Sequence, residues 1–121
     1  MLTYRAAEER LLRPRPKDSK IIARNTVLHR AGDDIAIRFH RTDIVVISPQ
    51  NIYTLNNGGW QTAHTKERIN RYAPVNIWQR DFQWYVSTLE GQVDFYNGMQ
   101  VDERGSTLVP FAQAHMARAI A

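Results

Sequence analysis

Apolar residues recur along the chain at two spacings, and the switches between them mark the expected elements. Tyr4, Ala7 and Leu11 fall at i, i+3 and i+7 with Leu12 beside them, so residues 2–12 read as a short helix with one apolar stripe. Arg13-Pro14-Arg15-Pro16 ends it, because each proline pushes the preceding residue out of helical space and has no N–H to donate. Arg13 to Lys20 then reads as an extended basic arm, flexible until a partner orders it. From Ile21 the period becomes two. Ile21 to Arg30 and Ile35 to His40 flank Ala31-Gly32-Asp33-Asp34, a Gly-Asp turn suited to a hairpin. Ile35, Ile37 and Phe39 point to one face, and Ala36, Arg38 and His40 to the other. Asp43 to Ser48 reads as a strand buried on both faces and stopped by Pro49; Ile52 to Leu55 is another, closed by Asn56-Asn57-Gly58-Gly59.

The helical period returns at residues 65–73. Thr65 is the expected cap, Pro74 ends the helix at Ala73, and Ile69, Tyr72 and Ala73 form its apolar stripe. Glu67 and Arg71 pair at i, i+4, while Arg68 and Arg71 share a basic outer face. Val75–Arg80, Phe82–Thr88, Gln92–Tyr96 and Met99–Asp102 read as a meander, with turns at Glu90-Gly91 and Asn97-Gly98. Pro110 opens an Ala-rich helix to Ala121 with a thin apolar face. The expected fold is α+β: a bent antiparallel sheet or partial barrel of about seven to eight strands, with one internal helix covering an opening and short terminal helices. Residues 1–20 form a basic helix and arm, 21–105 a single α+β domain, and 106–121 a helical tail.

Composition narrows the function classes. The 121 residues suit one domain, and 43% hydrophobic with 23% charged is ordinary for a globular chain. The absence of cysteine excludes disulfides and thiolate metal sites and fits a reducing cytoplasm. Apolar runs such as Ile44 to Ile47 are too short to span a bilayer, and the first residues have no apolar core of a secretory signal, so no membrane partner is expected. The net charge of +4 is unevenly placed: residues 1–41 carry ten Lys/Arg against five Asp/Glu. A basic front end favours a polyanion or an acidic protein surface as partner, against the plainer reading of solvated surface charge.

Catalytic chemistry finds little support. His29, His40, His64 and His115 show no metal-ligand spacing, and no P-loop or serine elbow is present; Ser19, Ser48, Ser87 and Ser106 lack that context. No metal or cofactor is expected. A His/Asp nuclease would have to draw on His29, His40, Asp33, Asp34 and Asp43, but the turn aspartates are better explained by turn chemistry. Aromatic and basic residues mix from Trp60 through His64, Lys66, Arg68 and Arg71, and again at Trp78, Arg80, Trp84 and Tyr85. Guanidinium groups beside aromatic rings bind phosphates and stack on bases. Trp60, after Gly58-Gly59, and Trp84, in an apolar alternation, are both expected in the core. The helix start at His64-Thr65-Lys66 offers N–H donors to an anion. The candidate nucleic-acid or partner-binding residues are therefore Lys66, Arg68, Arg71 and His64, with Arg13, Arg15, Lys17 and Lys20 on the arm.

Three stretches carry a resemblance: Asp34 to Val45, Thr54 to Thr62 with its Gly58-Gly59-Trp60, and Thr65 to Tyr72. With Gln83 to Val86 and Phe95 to Met99 they resemble a group of small proteins from bacteriophage genomes and prophages, over roughly residues 22–101. Ala63-His64 departs from the Thr-bearing pair usual in that group. The resemblance implies a phage accessory protein in the host cytoplasm, and no mechanism. Combined with the charge, it leads to a non-enzymatic protein that binds nucleic acid or a host nucleoprotein, with self-association open. An inhibitor of a host defence complex, such as an anti-CRISPR or anti-restriction protein, is the second reading, and a small His/Asp nuclease the third.

Overall fold

A computed structural model describes residues 1–108. The helix expected from Pro110 to Ala121, and His115 within it, lie outside the described residues. The described residues form an α+β fold, with two helices and ten strands in two antiparallel sheets. The first helix, α1 (Tyr4–Leu12), is capped by Thr3, whose hydroxyl accepts from Ala6 N at 3.2 Å. It buries Ala7 and Leu11.

The strand expected from Ile21 to Arg30 is two, β1 (Ser19–Ala23) and β2 (Thr26–Ala31), because Asn25 adopts φ 55° and reverses the chain at Arg24-Asn25. Asparagine tolerates the left-handed region better than most residues. Then follow β3 (Asp34–Phe39), β4 (Thr42–Ile47) and β5 (Tyr53–Leu55). Residues 19–47 form three successive two-residue hairpins, the last turning at His40-Arg41 with His40 at φ 56°. The expected single meander divides. Strands β6 (Asn76–Arg80), β7 (Gln83–Thr88) and β8 (Gly91–Asp94) make a sheet of their own, whereas β9 (Met99–Val101) returns to pair with β5 and carries β10 (Thr107–Leu108) outside it. The larger sheet runs β1-β2-β3-β4-β5-β9-β10 and is not closed into a barrel.

Register lines up the core. Ile37, Val45, Leu55 and Met99 sit side by side across four strands, as do Ile35, Ile47, Tyr53 and Val101, and all are buried. The second helix, α2 (Ala63–Tyr72), packs against both β4 and β6 and so joins the two sheets. Ile69, Tyr72 and Ala73 are its buried face, as their spacing implied. Trp84 is fully buried, edge-on to Phe95 at 5.2 Å; its Nε1 has no partner among the described residues. No helix among the described residues is long and apolar enough to cross a membrane.

Two long-range bonds anchor the N-terminus. Leu2 N donates to Tyr72 O at 2.9 Å, and the buried Tyr53 hydroxyl donates to Leu2 O at 2.8 Å. Burial, and then the negative charge of Glu103, push the Tyr53 phenol from 10.0 up to about 12. A phenol whose folded-state pKa is raised stabilises the fold fully below its unfolded pKa and loses that contribution as pH rises through the folded one. Tyr53→Phe is therefore expected to cost about 1–2 kcal/mol at neutral pH, by leaving the Leu2 carbonyl unpaired. It should also remove a loss of stability that the natural protein shows between about pH 10 and 12. Urea titrations of both proteins across that range would check it.

Candidate functional site

Tight turns and one helix end build the principal concavity. The tips of two hairpins, Arg24-Asn25 and His40-Arg41, lie together because His40 N donates to Asn25 O at 2.9 Å. Facing them is the side of α2 that carries Thr65 and Arg68. The cap of α2 is Thr62, not Thr65: the Thr62 hydroxyl accepts from Thr65 N at 3.2 Å, and Thr65 is buried one turn inside. Thr62 wins because it is the last extended residue, at φ −100° and ψ 158°, so its oxygen faces the open amides.

The loop between β5 and α2 supplies the rim. Asn56 and Asn57 side chains accept from Gly58 N and Gly59 N at 2.6 and 2.8 Å, and Trp60 N donates to Asn57 O. Gly58 adopts φ 64° and lies so close to β4 that a Cβ would come within 2.3 Å of Thr42 Oγ1, so the loop accepts only glycine there. The chain leaves this turn pointing outward. Trp60 is 66% exposed, which corrects its expected place in the core. Between the hairpin tips, α2 and Trp60 lies a groove of about 700 Å³, with Phe39, Ile44 and Asn57 lining its interior. That volume is within the roughly 300–1,000 Å³ of sites that hold small organic ligands.

Its electrostatics are one-sided. Arg24, Arg41, His40 and His64 are exposed around the groove, and among the described residues neither Arg24 nor Arg41 has a carboxylate within ion-pair distance. Arg68 is different, its side chain only 14% exposed. Its Nε donates to Thr26 Oγ1 at 3.1 Å, its guanidinium lies 5.3 Å from the Phe39 ring centre, and it pairs with Glu67. Arg68 is thus a strut holding α2 to β2, with one side forming groove wall, and does not share an outer face with Arg71. Burial works to raise the Glu67 pKa, but hydrogen bonds from Arg68 and Arg71 hold that carboxyl below its ordinary value.

The other sequence candidates lie elsewhere. Lys66 and Arg71 are on the far side of α2, where Lys66 Nζ donates to Gln79 Oε1 at 3.4 Å and Arg71 Nε to Glu67 at 2.9 Å. Arg13, Arg15 and Lys17 are exposed, but the segment folds back instead of hanging free: Lys17 N donates to Leu11 O at 2.8 Å. Lys20 belongs to β1 and its Nζ donates to the carbonyls of Arg10 and Arg13, where a cation suits a helix C-terminus. Lys20, near the start of β1, stands four residues before Arg24 in the turn that follows the strand, about 13 Å away, so arm and groove form two basic regions at opposite ends of β1.

The two hairpin histidines do not converge. His29 pairs across the sheet with Ala36, four residues along β3 from His40. His29 Nε2 lies 2.8 Å from Asp43 Oδ1, which also accepts from Arg38 Nε at 3.0 Å, while Asp33 is at the opposite turn beside Tyr4. Among the described residues no three His, Asp or Glu side chains gather as metal ligands.

Sequence reasoning passed over Arg24 and Arg41, considered His40 only for a His/Asp nuclease, and expected Trp60 in the core. Arg24-Asn25 and His40-Arg41 each interrupt an alternating run with two polar residues, which is the available signal of an exposed hairpin tip. Fold and site together define a small α+β protein with a basic groove rimmed by an exposed tryptophan. The chain belongs to the Kyanoviridae Gp96 protein family, a family of cyanophage proteins whose model matches residues 5–102. The match reaches further towards the N-terminus than the expected 22–101 and takes in most of α1 and the basic segment after it. No curated protein and no solved structure matches the chain.

Proposed function

We propose that this phage protein is a non-enzymatic accessory protein that binds single-stranded nucleic acid in the Trp60 groove. One observation carries the reading: a solvent-exposed indole stands on the rim of a groove whose exposed Arg24 and Arg41 have no acidic partner among the described residues. An aromatic platform beside guanidinium groups is the sequence-tolerant way to hold single strands, because every base has a π-face and every nucleotide a phosphate. Trp60 stacks on a base, with the apolar Phe39 and Ile44 beneath it. Arg24 and Arg41 take the flanking phosphates, joined by His64 at the start of α2. A duplex, whose bases are already stacked on each other, leaves that indole without a partner.

The test is fluorescence anisotropy with labelled single-stranded DNA and RNA over a range of salt concentrations. If two to three phosphates are neutralised, log affinity falls against log salt with a slope of about −1.5 to −2. Duplex of the same sequence should bind more weakly. Absent or salt-independent binding to every single strand contradicts the proposal. Retention of a host protein after nuclease treatment, without affinity for free nucleic acid, favours inhibition of a host complex instead.

A further inference from the structure

The hairpin between β6 and β7 ends in a residue unsuited to its turn. Asp81 and Phe82 are its two loop residues, at φ 51° and 66°. Two successive left-handed residues make the turn for which Asn-Gly and Asp-Gly are the favoured pairs. Asp81 fits that pattern. Phe82 stands where glycine is preferred, and a bulky side chain at positive φ is strained. No burial offsets the strain, since Phe82 is 88% exposed. A side chain that strains its own turn and is left exposed by the described residues points to a contact outside them.

Its position indicates which contact. On α2, Asn70 donates to Ile77 O and accepts from Ile77 N, at 3.0 and 2.6 Å; one helical turn earlier Lys66 reaches Gln79. A turn of helix advances about 6 Å and two strand residues about 6.6 Å, so α2 and β6 run in step, and the preceding turn, at Thr62, comes level with Asp81. Thr62 and Trp60 both line the groove. The tip of the β6–β7 hairpin therefore stands at the groove end of the molecule, across α2 from Arg24 and Arg41. Lys66 lies on that side of the helix, and the tip carries Arg80, its side chain 76% exposed. Asp81 is the opposing charge there, its carboxylate 3.8 Å from Arg80 Nε.

We propose that Phe82 is a second stacking residue for single-stranded nucleic acid. The strand leaving the Trp60 groove crosses the first turn of α2 past Lys66 and meets Phe82 and Arg80. The proposal rests on the groove being a nucleic-acid site and assigns the polymer's path beyond it. It makes length the readout: a fragment of two to three nucleotides fills only the groove, whereas about twelve reach the hairpin, within the span one small domain covers.

The experiment compares short and long thymidine oligonucleotides on the natural protein, Phe82→Gly and Trp60→Ala. Glycine relieves the turn, so Phe82→Gly should melt at a higher temperature than the natural protein, which removes misfolding as an explanation for lost binding. It should bind the short fragment normally and the long one about tenfold more weakly, the loss of one stacked base. Asp81→Asn keeps the turn and removes the opposing charge, so it should tighten the long oligonucleotide alone. Phe82→Gly binding both lengths like the natural protein overturns the Phe82 proposal, while loss of binding in Trp60→Ala still upholds the groove. If Trp60→Ala also binds normally, the groove reading itself has failed. A loss in Phe82→Gly that is equal at both lengths overturns the extended path.

Discussion

Trp60→Ala is expected to weaken binding of single-stranded nucleic acid at least tenfold while leaving folding stability within about 0.5 kcal/mol of the natural protein. The two halves of that expectation have different origins. Base–aromatic stacking contributes about 1–3 kcal/mol per base, and Trp60 is the indole the groove exposes. Stability is indifferent because the shape of the loop comes from elsewhere: the Asn56 and Asn57 side chains, the left-handed Gly58 and the Trp60 amide, which alanine retains. Trp60→Phe keeps a π-face and should recover part of the affinity. Adding Arg41→Ala to Trp60→Ala should lower affinity further and flatten the salt dependence by about 0.7, the contribution of one phosphate contact on a single strand. Anisotropy titrations at two salt concentrations, with a thermal melt of each variant, separate binding from folding.

The second large effect falls on Trp84. Trp84→Ala is expected to cost about 3–5 kcal/mol, since it removes the largest fully buried side chain among the described residues and leaves a cavity between α2 and the small sheet. Phe95 would lose the indole it meets edge-on, and Lys66, 5.9 Å from that ring, would lose its aromatic neighbour. Domains of ordinary stability have about 5–15 kcal/mol in total, so this variant should unfold well below the natural midpoint in urea or be largely unfolded at 37 °C. Trp84→Phe retains most of the apolar volume and removes the unpartnered Nε1, so its cost should be far smaller.

These two residues also show what was legible in the sequence. Trp84 was readable because it lies in a strict alternation, Phe82-Gln83-Trp84-Tyr85-Val86, whose buried face is set by Trp84 and Val86. Phe82, at the start of the same alternation, turned out to be the hairpin tip, since period alone does not show where a strand stops. Trp60 was misjudged because no periodicity runs through Asn56 to Gln61, and side chain–backbone bonds decide which way that loop points. Thr62 and Thr65 are chemically identical as caps; only the backbone at Thr62 chooses between them. Local hairpins were largely visible, as at Gly32-Asp33. The return of β9 to β5 was not, because a pairing more than forty residues apart in sequence leaves no local trace. The groove shares that difficulty: Arg24, Arg41 and Trp60 meet only once three separate turns are folded against α2. Arg68 was expected on the outer face of α2 and is mostly buried against Thr26 and Phe39, since a helical position between the buried and open faces can turn either way.

If the Trp60 groove receives the nucleic acid, the indole N–H resonances will report it. The three tryptophans are distinct probes: Trp60 on the groove rim, Trp78 on the outer face of the small sheet beside Tyr85, and Trp84 in the core. Titrating ¹⁵N-labelled protein with a short single-stranded oligonucleotide should shift the Trp60 indole and the backbone amides of Arg24, His40 and Arg41, leaving the Trp84 indole in place. Shifts confined to the Arg13–Lys20 segment, or none at concentrations where anisotropy reports binding, would contradict it.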